Sequence, residues 1–311
     1  MSASFLLETD DNVLLCVVGP TASQKTALAI RLCEQWDGEV IGADSVQIYQ
    51  HFDIGSGKPT ARELAQAAHH LVGIVDPREP VDAARYAQLA EASIRDVRAR
   101  GKVPIVCGGT FLWVRSLVYG LAPAPPASPI VRKKLDKERE QWGDAAMHAR
   151  LQQVDPITAR RLNPRDWVRV QRALEVFDLS GRPLSEFHQE HQRQAPRYQP
   201  RFVGIRWTPA ELETRIRHRV RSWLASGWIE EVESLIARGY RHTRPMASVG
   251  YRQIVDVLEG RESHEQLLDQ IVRATKVFAR RQRTWLREVD VQWLDPDSSE
   301  RPTLELREKD D

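Results

Sequence analysis

Six apolar residues in a row, Val13–Val18 (VLLCVV), end at Gly19-Pro20. A continuous run of that length, closed by a turn signal, predicts a strand covered on both faces. Lys25–Trp36 follows with apolar residues at helical spacing. Glu39–Ala43 reads as a second strand with Asp44 at its C-terminal end. Leu71–Val75 reads as a third, stopped by Asp76-Pro77, and Val103–Cys107 (VPIVC) as a fourth, stopped by Gly108-Gly109. Between the third and fourth lies an alanine-rich helix, Ala83–Arg100, ended by Gly101. Strands alternating with helices predict an α/β fold: a parallel sheet flanked by helices.

The pattern changes at Ala122–Pro129, where APAPPASP makes a stiff, extended connection. From Ile130 to about Gln194 the chain is polar and helical in period, with candidate helices at Ile130–Trp142, Ala145–Gln153, Pro156–Leu162 and Asp166–Ser180. Strand character returns at Phe202–Trp207. Helices are then predicted over Ala210–Arg238, Val249–Glu259 and Gln266–Val289, with a closing strand at Val291–Leu294. The expected organisation is a core of residues 12–123 and 200–295, an all-helical insertion of residues 124–199, and an acidic flexible tail of residues 296–311.

Composition narrows the function classes. The 311 residues are 41% hydrophobic, enough for a sizeable core. No apolar run reaches the roughly 18–20 residues needed to span a bilayer. The first eleven residues carry acids and no basic cluster, unlike a targeting peptide, so a cytoplasmic protein is expected; a monomer is expected as well. Cys16, Cys33 and Cys107 lack metal or disulfide spacing and read as reduced, buried thiols. The net charge of +2 hides an asymmetry. Arg201 to Arg287 holds 17 Lys/Arg against 10 Asp/Glu, whereas Glu288 to Asp311 holds 9 acids and 3 bases. A basic segment suits a polyanionic partner, and equally a solvated helical surface.

Gly19–Thr26 (GPTASQKT) follows a strand and opens a helix, the setting of a phosphate-binding P-loop. There, backbone N–H groups and the helix dipole attract an anion, Lys25 neutralises phosphate oxygens, and Thr26 offers a hydroxyl to Mg²⁺ held through the phosphates. Gly19, Thr21, Ala22, Ser23, Gln24, Lys25 and Thr26 are the candidate donor-binding residues. The second glycine of the G-x-x-x-x-G-K-[ST] pattern is replaced by Gln24. Its side chain either strains the loop, crowds a phosphate or points outward. An ordinary helix start with Ser23 as N-cap would read the same way.

Longer stretches are more specific. GADSVQIYQHFDIGSGKPT at Gly42–Thr60, HHLVGIVDP at His69–Pro77, GGTFLWVRSL at Gly108–Leu117 and RALEVFDLSGRPLSEF at Arg172–Phe187 resemble the tRNA dimethylallyltransferase family. RIRHRVRSWLASGWIEEV at Arg215–Val232, VGYRQ at Val249–Gln253 and ARRQRTWLR at Ala279–Arg287 continue the resemblance in family order. It implies a P-loop NTPase-like fold and transfer of a dimethylallyl group from dimethylallyl diphosphate to the N6 amine of the adenosine 3′ of the anticodon, releasing diphosphate. It implies that Asp44 orients or deprotonates the amine, that Thr110 meets the diphosphate, and that Arg219, with Arg215 one turn before it, stabilises diphosphate charge. For tRNA it implies Ser45, Val46 and Gln47 at the target base, and Val168, Arg169, Gln171 and Arg172 in the insertion. Gly250, Tyr251 and Arg252 follow, then Arg280, Arg281, Arg283 and Arg287 on the last helix. That helix carries a basic stripe suited to a phosphate backbone. Trp113 and Trp223 stand where the family commonly has Tyr and Met. Two rival functions share the P-loop core: a small-molecule kinase, and a tRNA-binding protein whose catalysis is impaired by Gln24.

Overall fold

A computed structural model describes residues 12–192 and 195–296. The expected acidic tail, apart from its first residue, lies outside the described residues. Two compact units divide the chain, one reaching to Tyr119 and resuming at Arg197, the other Gly120–Pro196.

The first unit is built on β1 (Val13–Val18), α1 (Lys25–Trp36), β2 (Gly38–Gly42), α2 (Ala61–Gln66), β3 (His69–His70), α3 (Ala83–Ala99), β4 (Val103–Gly108) and α4 (Phe111–Tyr119). The second contains α5 (Pro129–Val154), α6 (Pro156–Arg161), α7 (Trp167–Ser180) and α8 (Leu184–Gln192), with no strand among its described residues. The first unit then resumes with β5 (Gln199–Ile205), α9 (Pro209–Ala225), α10 (Trp228–Ala237), α11 (Tyr251–Leu258), α12 (Leu267–Leu286) and β6 (Val291–Leu294). All strand pairs are parallel, in the order β3-β2-β4-β1-β5-β6.

The unbroken apolar run of β1 is explained by coverage of both sheet faces. Leu14, Cys16 and Val18 belong to one buried cluster and Leu15 and Val17 to another. The period of two sends neighbouring side chains to opposite faces, and helices cover each. Among the described residues, no helix is long and apolar enough to cross a membrane.

Several elements differ from expectation. The third strand is His69–His70 rather than Leu71–Val75. Leu71 and Gly73 have φ of 62° and 63°, which no strand accommodates. Residues 73–75 instead donate to the carbonyls of Gln47 and Ile48. The single helix expected over Ala210–Arg238 is two, interrupted at Gly227, which has φ 93° and caps α10. Gly143, with φ 81° and ψ 167°, kinks α5 between its two expected halves. Helices α2, α4 and α8 were not anticipated. In α4 six of nine residues are buried, among them Phe111, Trp113, Val114 and Leu117, so no polar stripe marks it as helical.

Candidate active site

The C-terminal ends of β1, β2 and β4 meet at a cleft of ≈ 680 Å³. Such strand ends are where parallel α/β sheets bind ligands. The cleft brings together Thr21, Ala22, Ser23, Gln24, Lys25 and Thr26 from the loop after β1, Asp44 and Gln47 from beyond β2, and Arg215 and Arg219 from α9. Gly108 and Gly109 line it at the end of β4, and Thr110 follows them.

The loop after β1 wraps tightly. Ala22 and Gln24 both take left-handed backbone conformations, with φ 66° and 65°. Gln24 occupies the N-cap position of α1, but its side chain makes no cap hydrogen bond and is exposed. Ser23 is buried, and its Oγ is without a hydrogen-bond partner. This is not the ordinary Ser-capped helix start. Of the three readings of Gln24, the left-handed φ bears out backbone strain, and the exposed side chain lies at the cleft. Gln24→Gly should therefore relieve a left-handed penalty of about 1–2 kcal/mol, offset by about 0.4–1 kcal/mol of extra chain entropy in the unfolded state. The expected outcome is a small rise in the denaturant midpoint, with donor affinity changed less than about twofold. A large gain in donor affinity would show that the side chain crowds the phosphates after all.

Lys25 Nζ donates to the Pro20 carbonyl at 2.8 Å, which folds the side chain back over the loop. Burial pushes its pKa down to about 8; the nearby charge of Arg219 lowers it too, against the opposing effects of Cys107 and Asp44. Arg219 donates to Thr21 Oγ1. Its guanidinium lies 4.5 Å from the centre of the Trp223 ring, and its Nε is buried without a partner. Burial lowers its pKa to about 10, with Asp44 opposing. Arg215 donates to the Ala22 carbonyl at 3.0 Å and stacks 4.3 Å from the centre of the Trp207 ring. The other two arginines of α9 turn elsewhere: Arg217 pairs with Asp269 at 2.8 Å, and Arg221 is exposed.

Across the cleft, Asp44 Oδ1 accepts from the N–H groups of Val46 (2.9 Å) and Gln47 (3.2 Å). This turn uses one carboxylate oxygen and leaves the other outside it. Thr110 Oγ1 accepts from the Ser45 N–H at 2.9 Å, and the Thr110 N–H donates to Ala43 at 3.1 Å. The Asp44 turn and the Thr110 turn are therefore one unit. The close approach requires Gly108, where a Cβ would stand 2.1 Å from the Ala43 carbonyl oxygen. Cys107 lines the cleft beside them, and burial pushes its thiol up to about 12.

Two supporting residues had no assignment from sequence. Glu231 accepts from the N–H groups of Asp53 (2.9 Å) and Ile54 (2.7 Å) and from the Tyr251 hydroxyl (2.6 Å). It shapes the loop whose Ser56 and Gly57 line the cleft. Gln282 of α12 joins the loop after β1 to the Gly109 carbonyl. The Gln282 bonds and those of Glu231 to Asp53 and Ile54 span more than 170 residues, and no local pattern announces such pairs.

The residues expected to face tRNA are distributed unevenly. Arg280, Arg281 and Arg283 on α12 and Arg287 just past its end are all exposed. Arg252 and Arg281 line a second groove of ≈ 650 Å³, together with Arg273 and the exposed Phe278. Tyr251 is fully buried and Gly250 packs against Trp228, and neither lines the groove beside Arg252. In the helical unit, Val168 and Arg169 are exposed. Arg172 is held by Glu175 at 2.8 Å and by the Pro125 carbonyl, and Gln171 by Asp136 at 2.8 Å. Those two are structural braces in this unit. Ser45, Val46 and Gln47 are partly buried beside Asp44, with the Gln47 amide donating to Ser56 and Gly57 carbonyls.

Comparison with known proteins is consistent across sequence and structure. Residues 47–289 match the family model described as IPP transferase, and residues 12–76 one described as isopentenyl transferase. A tRNA dimethylallyltransferase of Sorangium cellulosum is 56% identical over 90% of this chain and 90% of its own. One of Myxococcus xanthus is 43% identical over 88% and 89%. The solved tRNA isopentenylpyrophosphate transferase of Bacillus halodurans superposes with a TM-score of 0.67 at 33% identity, covering 91% of this chain and 90% of that one. A eukaryotic dimethylallyltransferase, captured acting on tRNA, gives 0.76 at 26% identity over 91% and 74%.

Proposed function

Because this chain belongs to the IPP transferase family, we propose that it transfers a dimethylallyl group from dimethylallyl diphosphate to the exocyclic N6 amine of the adenosine 3′ of the anticodon. The observation that carries this is the single cleft in which Asp44 and the Gly108-Gly109 turn, with Thr110 next to it, stand opposite Lys25 and Arg219. One side is built for a polyanion and the other for an amine. The amine nitrogen bonds to C1 of the dimethylallyl group, the C1–O bond breaks, and diphosphate leaves with the electron pair. The amine proton departs toward Asp44, whose oxygen outside the turn is the acceptor. Thr110 Oγ1 already accepts from Ser45, which leaves its O–H to donate to the bridging oxygen. Lys25, Arg219 and Arg215 hold the diphosphate and stabilise the charge that develops on it.

Mg²⁺ fits this site as a phosphate-held ion. Among the described residues no three His, Cys, Asp or Glu side chains group to cage a metal, and Thr26 supplies one hydroxyl beside the diphosphate position. Magnesium is commonly held this way, by few protein oxygens and by substrate phosphates. When bound, it neutralises charge on the leaving group.

The tRNA contacts of this reading are Ser45, Val46 and Gln47 near the base, the Arg252–Arg281 groove, Arg280 and Arg283 on α12, and Arg287 just past its end. Val168 and Arg169 contribute from the helical unit. The adenosine must leave its stack to reach the cleft. The protein acts in the cytoplasm, where its substrate resides. Incubation with labelled dimethylallyl diphosphate and an unmodified anticodon stem-loop should yield labelled RNA and free diphosphate. Phosphate transfer from ATP to a small acceptor, without prenylated RNA, would overturn the reading in favour of a kinase.

A further inference from the structure

Gln282 interrupts the exposed basic face of α12. Arg280, Arg281 and Arg283 around it are exposed, whereas Gln282 is buried. Its amide is used at both ends. Oε1 accepts from the Thr21 backbone N–H at 2.8 Å, and Nε2 donates to the Gly109 carbonyl at 2.8 Å. A backbone nitrogen can only donate and a carbonyl can only accept, so these partners fix which way the amide points. Gly109 gives it room, since a Cβ there would lie 2.5 Å from Nε2.

The two partners belong to opposite halves of the reaction. Thr21 is in the diphosphate loop, and Arg219 grips its hydroxyl. Gly109 immediately precedes Thr110, whose own bonds reach Ala43 and Ser45. We infer that Gln282 is a positioning residue for the transfer step: it sets the spacing between the diphosphate cradle and the Thr110–Asp44 turn. This inference rests on the prenyl-transfer reading. A displacement of about 1 Å between reacting groups can cost on the order of 10²-fold in rate, and one amide spans this gap.

The test compares Gln282→Ala with Gln282→Glu in the full chain, by single-turnover transfer to the stem-loop. A Glu carboxylate can still accept from Thr21 but opposes the Gly109 carbonyl. Once protonated it regains a donor and restores both bonds. The charged and titratable groups that bear on it are Lys25, Arg215 and Arg219, which favour the carboxylate, and Asp44, which favours the acid. Cys107 stays neutral, its pKa raised to about 12. Wild type measured at each pH is the reference for those groups.

At about pH 8 both variants should transfer roughly 100-fold more slowly than wild type, with stem-loop affinity within about twofold. At about pH 5.5 the Gln282→Glu deficit should shrink at least about tenfold, while that of Gln282→Ala stays. A merely structural brace would not produce acid rescue confined to one variant. The inference is overturned if Gln282→Ala transfers at the wild-type rate, or if the Gln282→Glu deficit does not change with pH. A wild-type chain that prenylates nothing overturns the reaction reading itself, which keeps the two failures apart.

Discussion

Asp44→Ala is expected to slow single-turnover dimethylallyl transfer by about 10³-fold, the middle of the range for losing a positioned acid–base group, while stem-loop affinity changes by less than about threefold. The geometry gives the reason. Asp44 Oδ1 is committed to the Val46 and Gln47 N–H groups, so the turn fixes where the other oxygen sits. An adenine amine is weakly nucleophilic because its lone pair is delocalised into the ring. Hydrogen bonding to an anion, with loss of the proton as the N–C bond forms, is what the site supplies.

Because alanine also removes the acceptor that shapes the turn, Asp44→Asn is the sharper comparison. Its carbonyl can take over both backbone N–H groups, but its NH₂ then opposes the substrate NH₂, donor against donor. Transfer should remain at least about 100-fold down although the loop is preserved. A result with weakened tRNA binding and normal single-turnover chemistry would move Asp44 from catalysis to recognition. Near-normal transfer by Asp44→Asn would show that its charge and basicity are not used.

Much of this site is legible in the sequence because it lies where chain direction alone places it. A buried parallel strand ends at Val18, and whatever follows lies on the ligand-binding edge of the sheet. The same holds for Asp44 after β2 and Thr110 after β4. Two neighbouring arginines on α9 could not be separated from Arg215 and Arg219 in the same way. Arg217 and Arg221 have the same residue type and nearby positions, and only the helix phase, which carries Arg217 to Asp269, tells them apart. The left-handed backbone of Gln24 was likewise illegible, since nothing in a glutamine favours that conformation. Gln282 and Glu231 were invisible for a different reason: their partners are set by the fold and have no fixed spacing. In the helical insertion, Arg172 had the same claim on RNA as Arg169. The buried carboxylate of Glu175 claims Arg172, and nothing local in the sequence says that Glu175 is buried.

Replacement of Arg219 by methionine should separate function from stability in opposite directions. The guanidinium is desolvated, which holds its pKa down to about 10. A base whose folded pKa is depressed binds its proton less tightly when folded than when unfolded. Below about pH 10 the folded chain must carry the charge, so the cost is fully present at neutral pH and fades only as pH rises toward the unfolded value. The depression from 12.5 to about 10 corresponds to a cost on the order of 3 kcal/mol. Thr21 and the Trp223 face offset part of it, while Nε is left with nothing to donate to.

A partly buried, desolvated cation whose buried Nε has no partner is poorly explained as packing and well explained as a socket for an oxyanion. Arg219→Met fills similar volume without charge, and replacing buried charges with apolar groups is often neutral or stabilising by about 1–4 kcal/mol. Its thermal midpoint should equal or exceed that of wild type, while transfer falls by about 10²–10³-fold, the magnitude of losing one preorganised donor to a developing oxyanion. Arg219→Lys should not restore the rate, because a point charge on a flexible stem cannot donate from the fixed positions of Nε and Nη2 together. Inorganic diphosphate, the released product, should raise the midpoint of wild type and leave that of Arg219→Met nearly unmoved. If instead Arg219→Met unfolds several degrees lower and wild type does not respond to diphosphate, the guanidinium is holding the fold together and the leaving group is stabilised elsewhere in the cleft.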